Sequence, residues 1–469
     1  MPIRRSTFKS KIRLLKLMSA PSFFVRNTTT APPNMDTANV GEEMYRFVTD
    51  LFPICRSITG KGARETLALI QKHAPLDIHE IPSGTRVFDW IVPKEWNIRE
   101  AWIKDPAGKK IIDFQNSNLH VLNYSTPVHA RLSLKDLKEN LYSLPEHPDW
   151  IPYRTSYYNN NWGFCLSHNQ LLGLSEGAYE VFVDSSLEDG HLTFGECYLR
   201  GETEAEVLIS THICHPSLAN DNLSGIVVAT FLAKYLSKLS SRYSYRFLFI
   251  PGTIGSITWL SLNESQLSRI KHGLVLTCVG DRGKFTYKKS RQRNAEIDRA
   301  VSEVLKKSGE AFEVHEFSPY GYDERQYCSP GFNLPVGCFM RSPHAQYSEY
   351  HTSADNLELV RPKYLADSFS KCLAVFEVLE HNRVYCNQNP KCEPQLGRRG
   401  IYSQIGGQTD GKTLELALLW VLNLSDGENS LLDIAEKSDL EFSLIRNAAQ
   451  TLVNNGLLRE ASPLVRSSS

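Results

Sequence analysis

No run of apolar residues in this chain approaches the roughly 20 that a membrane-spanning helix needs, which argues against a helical membrane protein. No Cys-x-x-Cys pair occurs among the ten cysteines, at positions 55, 165, 197, 214, 278, 328, 338, 372, 386 and 392. The spacing of zinc ribbons and of dithiol redox motifs is therefore missing. A chain of 469 residues with 41% hydrophobic content has core enough to do without a disulfide framework. Most of the cysteines read as buried thiols in a reducing, cytoplasmic setting. Charge of one sign is missing as well, since 52 Lys and Arg balance 52 Asp and Glu. No global field is left to draw nucleic acid or an anionic membrane.

The local exception is the beginning. Residues 1–40 carry Arg4, Arg5, Lys9, Lys11, Arg13, Lys16 and Arg26, with no acid before Asp36. That is the composition of an organelle-targeting leader. A disordered basic tail, or initiation at Met35, accounts for it equally.

What is present is an α/β texture. Residues 206–225 read EVLISTHICHPSLANDNLSG. The apolar run 207–209 suits a buried parallel strand, and 226–236 suits a helix. Runs 245–250 and 273–279 repeat the pattern of strand, polar loop and helix, with helices expected at 296–308 and 364–381. The repeat predicts a mostly parallel sheet with crossover helices. Ligands of such sheets sit beyond the carboxyl ends of strands. His212 stands at a strand end, His215 follows it, and Asp221 comes nine residues after His212 at a helix start. Imidazole and carboxylate are zinc ligands. The plainer reading makes Asp221 or Asn222 a helix cap, but a cap needs neither histidine.

Around this core the composition shifts. Short strand-like runs from 77 to 150 predict an inserted β-rich module. Residues 151–164, with Tyr153, Tyr157, Tyr158, Trp162 and Phe164, either line a substrate cleft or simply pack. Residues 386–407, rich in Asn, Pro, Gly and Arg, read as a linker. Beyond them, 408–465 offer helical segments at 413–424, 430–437 and 441–454 and then a short strand, the outline of a winged helix. Its third helix offers Arg446, Asn447, Gln450 and Asn454, with a single basic residue, so interaction or regulation is expected there before nucleic-acid reading.

His212, the Asp-Asn-Leu-Ser-Gly turn at 221–225 and His351 in a Tyr-His-Thr context together resemble the co-catalytic zinc aminopeptidase family. The span from about Glu42 onward is more closely similar to an uncharacterised group of aminopeptidase-like proteins, often found beside surface-polysaccharide genes. That group joins the catalytic fold to a β module and a winged helix. Its hallmarks appear here as PICRSITG at 53–60, His215-Pro216, Asp323-Glu324-Arg325 and YHTSAD at 350–355.

The resemblance implies an α/β, phosphorylase/hydrolase-like zinc peptidase fold, with the aminopeptidase-like domain at 41–76 and 151–385. It implies one or two zinc ions, with His212 and His351 as ligands and Asp221 as a bridge. It also implies two adjacent Glu residues after the next strand, one the general base and one a ligand. Gly252 and Thr253 stand there instead. The Asp expected after the third strand aligns with Thr277, and Asp281 is either its stand-in or an ordinary turn residue. With Gly252 at the base position, Glu349, Asp323 and Glu324 are the carboxylates to consider. Glu349 lies two residues before His351, on the same face if the segment is extended. Otherwise it orients a ligand histidine. Arg325 and Arg341 are candidates to hold a substrate carboxylate, and His215 and Tyr350 to line the substrate side.

The expected function is hydrolysis of a small peptide-like or acylated amine substrate. The alternative is a binding protein on a peptidase scaffold. No membrane partner is expected, and a homo-oligomer is compatible with either. Two further expectations are that Cys214 is no nucleophile and that Gly252 leaves a gap in which a substituted Glu raises turnover.

Overall fold

The computed structural model describes residues 37–401 and 409–461. The basic leader up to residue 36, part of the expected linker and residues 462–465 lie outside them. Eight strands form the central sheet: β1 (Asp77–Pro82), β2 (His191–Leu199), β3 (Glu206–His212), β4 (Ser244–Ile250), β5 (Ile270–Leu276), β6 (Phe285–Lys288), β7 (Phe312–His315) and β8 (Val336–Met340). Their order is β1-β2-β4-β3-β5-β8-β6-β7. The middle four, β4, β3, β5 and β8, are parallel, while β1, β2 and β6 pair antiparallel with a neighbour. β3 is buried at every position, as a strand covered on both faces must be. Helices Gly225–Leu236 and Pro362–His381 pack into the core on one face, and Ile254–Asn263 into a second core on the other. The carboxyl ends of β3, β4, β5 and β8 therefore release four loops side by side.

The β module lies elsewhere than the sequence texture indicates. β1, expected to open it, instead edges the main sheet against β2. Ala178–Glu188, read from sequence as part of the main domain, joins Glu95–Lys104, Lys110–Asp113 and Val128–Ser133 in a four-stranded sheet. Strand identity follows from alternation, but sheet membership depends on pairing partners some 80 residues apart, which alternation cannot specify. Arg64, on helix Lys61–Ile70, ties the parts together. Its guanidinium donates twice to Glu95 at 2.7 Å and its Nε donates to Glu80 at 2.6 Å. The bond from Arg64 is the main reason that the Glu95 carboxyl lies low, at about 2. A depressed carboxyl contributes stability above its unfolded value, lost as pH falls towards the folded one. Thermal melts should therefore lose Tm more gradually between about pH 4.5 and 2 in Glu95→Gln than in the native protein; parallel curves would contradict this.

The expected linker also begins with structure. Val384–Asn387 is a strand that pairs with Asp426–Ser430 and Leu458–Glu460. With helices Thr409–Leu424, Leu431–Ser438 and Phe442–Asn454 it completes a winged helix. This domain is docked. Its apolar residues share one core with the main domain. Arg299 bonds Asp433 at 2.6 Å, Lys306 and Lys307 reach Asp439 at 2.7 Å, and Arg446 pairs with Glu377. No helix among the described residues is long and apolar enough to cross a membrane.

Candidate metal centre

The loops after β3, β4, β5 and β8 and the segment around His351 converge on Asp221. Its chain is held from behind, because the buried Asp355 carboxylate accepts the backbone N–H groups of Asn220 (2.6 Å) and Asp221 (2.9 Å). Burial, offset by those two amides, pushes the Asp355 carboxyl up to about 7. Asn222 donates to Thr211 Oγ1 and to the His212 carbonyl, pinning the turn to the end of β3. Asp221 Oδ1 then lies 2.9 Å from His212 Nε2, and Oδ2 lies 3.0 Å from His351 Nε2. His215 Nε2 stands 3.9 Å from Oδ2. Burial works to raise the Asp221 carboxyl, but the imidazoles of His215, His212 and His351 outweigh it and hold the group well below the usual carboxylate range. Burial also holds His215 well below the usual histidine value.

The pair at 3.0 Å is not a hydrogen bond. Asp221 Oδ2 and His351 Nε2 are both buried and both lack a hydrogen-bond partner. Two metal bonds of about 2.0–2.2 Å at a tetrahedral angle hold their donor atoms roughly 3.3 Å apart. The unpartnered Oδ2–Nε2 pair is open to a metal, while Asp221 Oδ1 and His212 Nε2 stand at hydrogen-bond distance.

Residues 53–60 explain themselves here. Arg56, fully buried, donates from Nε to the His215 carbonyl (2.7 Å), from Nη2 to the Pro216 carbonyl (3.2 Å) and from Nη1 to the Leu51 carbonyl (2.8 Å). Burial lowers its value to about 10, still far above neutrality. Arg56→Ala should leave three buried carbonyls short of a donor, at about 1–3 kcal/mol each. Denaturant unfolding should therefore show a loss of several kcal/mol; a loss under about 1 kcal/mol would show that Arg56 does not brace the loop.

Aromatic rings close the site. Tyr322 lies over His212 with ring centroids 4.1 Å apart, Tyr350 stacks on His351 at 4.0 Å, and Tyr153 meets the rings of His215 and His351 edge-on at 5.1 and 5.0 Å. Tyr153 and its hydroxyl partner Tyr157 thus belong to the site, whereas Tyr158, 52% exposed, packs on Trp90. Cys214 is buried, with its thiol pushed up to about 12 by that burial.

Several expected residues go elsewhere. Asp281 accepts from the Ser342 hydroxyl and from the Gly283 amide at 3.1 Å, and belongs to neither of the two donor groups around Asp221. It is a turn residue. Arg341 is committed, bonded to the Gly283 carbonyl and to Asp367 and sandwiched by Phe285 and Tyr364. Arg325 is exposed on the one-turn helix Glu324–Tyr327, and none of the bonds or ring contacts that build the cluster involves it. Glu349 accepts from Ser348 at 2.8 Å. The segment is a turn with His351 at φ +55°, so the alternation that would put Glu349 beside His351 does not apply. Asp323 is fully buried, accepts from Ser256 at 2.9 Å and is pushed up to about 8 by burial. The gap expected at Gly252 is filled, since a Cβ built there meets Tyr322 Cε1 at 1.9 Å.

Sequence reasoning passed over His344 and Cys278. Each lies within five residues of the carboxyl end of a parallel strand, β8 and β5 respectively. That placement, the same that marks His212, was the available signal.

Residues 45–382 match a family described as a domain of unknown function (DUF4910), and residues 383–460 match a winged helix-turn-helix family. A Clostridium acetobutylicum protein named for polysaccharide biosynthesis and an aminopeptidase-like domain is 55% identical over 424 residues, 90% of this chain and 98% of its own. The chain belongs to this DUF4910 family. The boundary at 382–383 coincides with the start of the wing sheet. A crystal structure of a C. acetobutylicum protein described as a candidate peptidase is 54% identical, covers 91% of this chain and 98% of its own, and superposes with a TM-score of 0.87. The zinc aminopeptidase BSAP of Bacillus subtilis, 13% identical, covers 71% of this chain and 93% of its own, with a TM-score of 0.53. An M28 peptidase precursor from Shewanella amazonensis, 14% identical, covers 73% and 96%, with a TM-score of 0.50. The last two show that the fold is that of the aminopeptidases.

Proposed function

We propose that the protein is a zinc-dependent, aminopeptidase-like hydrolase that cleaves the amide bond of a small peptide-like or acylated amine substrate, with turnover held low by Gly252. The observation that carries the reading is the Asp221 carboxylate with His212 beside one oxygen and His351 beside the other. His212, His215 and Asp221 bring donor atoms within 4.8 Å of one another, and they would hold the metal, with His351 facing the other Asp221 oxygen. Zinc, when bound, polarises a carbonyl and lowers the pKa of bound water to about 7. The chain supplies the rest. Tyr322, Tyr350 and Tyr153 pack around the histidines and limit water, while His215, a weak base because it is buried, stands beside the Asp221 carboxylate. No carboxylate stands where the aminopeptidases have their base, so proton removal is the weak step.

One observation favours the binding-protein alternative, namely that the Tyr322 ring fills the space of the missing base. Zinc-restored and chelator-treated protein, assayed on aminoacyl and N-acyl amine reporters, separates the two. The proposal expects slow, zinc-dependent turnover. Zinc binding with no turnover would favour the alternative, and no zinc binding would overturn the hydrolase reading and leave a metal-free binding protein.

The winged helix belongs to this reading as an interaction or regulatory element. Helix Phe442–Asn454 exposes Ser443, Asn447, Gln450 and Asn454, while its one basic residue, Arg446, is paired with Glu377. A face with no other positive charge has little to offer phosphates.

A further inference from the structure

Two positions at which the aminopeptidase resemblance expects carboxylate ligands hold threonines, Thr253 and Thr277. Around the second, the structure offers a substitute set. His344 comes in from the loop after β8, with Nε2 3.2 Å from Thr277 Oγ1. Cys278 follows Thr277 with φ +49°, a backbone region that bulky residues avoid. Asp221, Cys278 and His344 each present one ligand atom, all within 4.8 Å of one another. All three are buried, at 1%, 0% and 8% exposure.

We propose that the Cys278 thiolate and the His344 imidazole, together with Asp221, form a second metal position built from sulfur, nitrogen and oxygen. The inference rests on the zinc reading above and adds ligands that the resemblance does not supply. A neutral threonine hydroxyl is no substitute for a carboxylate ligand. A thiolate restores the lost negative charge, and a soft sulfur in a mixed set suits zinc over magnesium or calcium. Ligation balances simply: the thiol gives its proton to solvent as the sulfur–metal bond forms. Thr277 then orients the imidazole of His344, in the way outer partners position ligand histidines. Tyr347, whose hydroxyl lies 3.7 Å from Cys278 Sγ and 3.3 Å from Asp355 Oδ2, links the thiol to the carboxylate that holds the Asp221 backbone.

Cobalt(II) loading of the full chain tests this without reference to activity, because a thiolate bound to cobalt gives a strong near-ultraviolet charge-transfer band. The native protein should take up two cobalt ions and show the band. Cys278→Ser should lose the band and one ion, His344→Ala should weaken one ion at least tenfold, and Cys214→Ser should keep both band and stoichiometry. Bound cobalt with no band, or a band that survives Cys278→Ser, overturns the second position and leaves the zinc reading standing. A folded native protein that binds no cobalt overturns both.

Discussion

Gly252→Glu alone should leave the turnover of an aminoacyl amide unchanged or lower, whereas the same change combined with Tyr322→Ala should raise it by roughly 10²–10⁴-fold, the range a general base contributes. The reason is space. A Cβ at position 252 would stand 1.9 Å from Tyr322 Cε1 and 2.6 Å from its Cζ. The ring cannot step aside freely. It packs on His212, its hydroxyl lies 3.3 Å from Cys214 Sγ, and its backbone N–H points at the Glu324 carboxylate. Glu324 is itself buried and paired with Lys288 at 2.5 Å. A glutamate brought in alone must therefore break this packing or point away from the metal centre. Removing the ring opens the position, and the gain should appear in kcat with zinc affinity unchanged, because a base acts in the transition state. Tyr322→Ala by itself is the control. A single substitution as active as the double would show that the ring does not block the base position.

Asp221→Asn should cost more than about 100-fold in zinc affinity, beyond the roughly 10–100-fold typical of an outer partner, and should take turnover to background. The amide nearly matches the carboxylate in shape but loses the charge that three imidazoles surround. It also presents an N–H₂ to one of the two histidines, so it cannot accept on both sides. Competition against a chelating dye measures the affinity, and circular dichroism checks that the fold is kept. Affinity equal to that of the native protein would show that the ion, if bound, is not held at Asp221.

Much of this was legible in the sequence. The parallel core announced itself through apolar runs at β3, β4 and β5, each ending in a polar loop, and strand ends are where such sheets bind ligands. His212 and Asp221 stood out for that reason. His351 did so only through its resemblance to a Tyr-His-Thr context, since nothing local links it to residues 139 positions earlier. What failed were inferences that needed a backbone conformation or a partner. Glu349 shares a face with His351 only if the segment is extended, and the segment turns. Arg341 looked free for substrate because Asp367 and Phe285 are far away in sequence. Gly252 implied a gap, because no local pattern says that Tyr322, 70 residues on, fills it. The β module was misplaced for the same reason, since strands declare their alternation but not their neighbours.

Anomalous diffraction from zinc-loaded crystals tests the central claim most directly. The account predicts a zinc peak within about 2.0–2.2 Å of an Asp221 oxygen and of the facing His212 or His351 nitrogen. Zinc bound with no peak at Asp221 would contradict it.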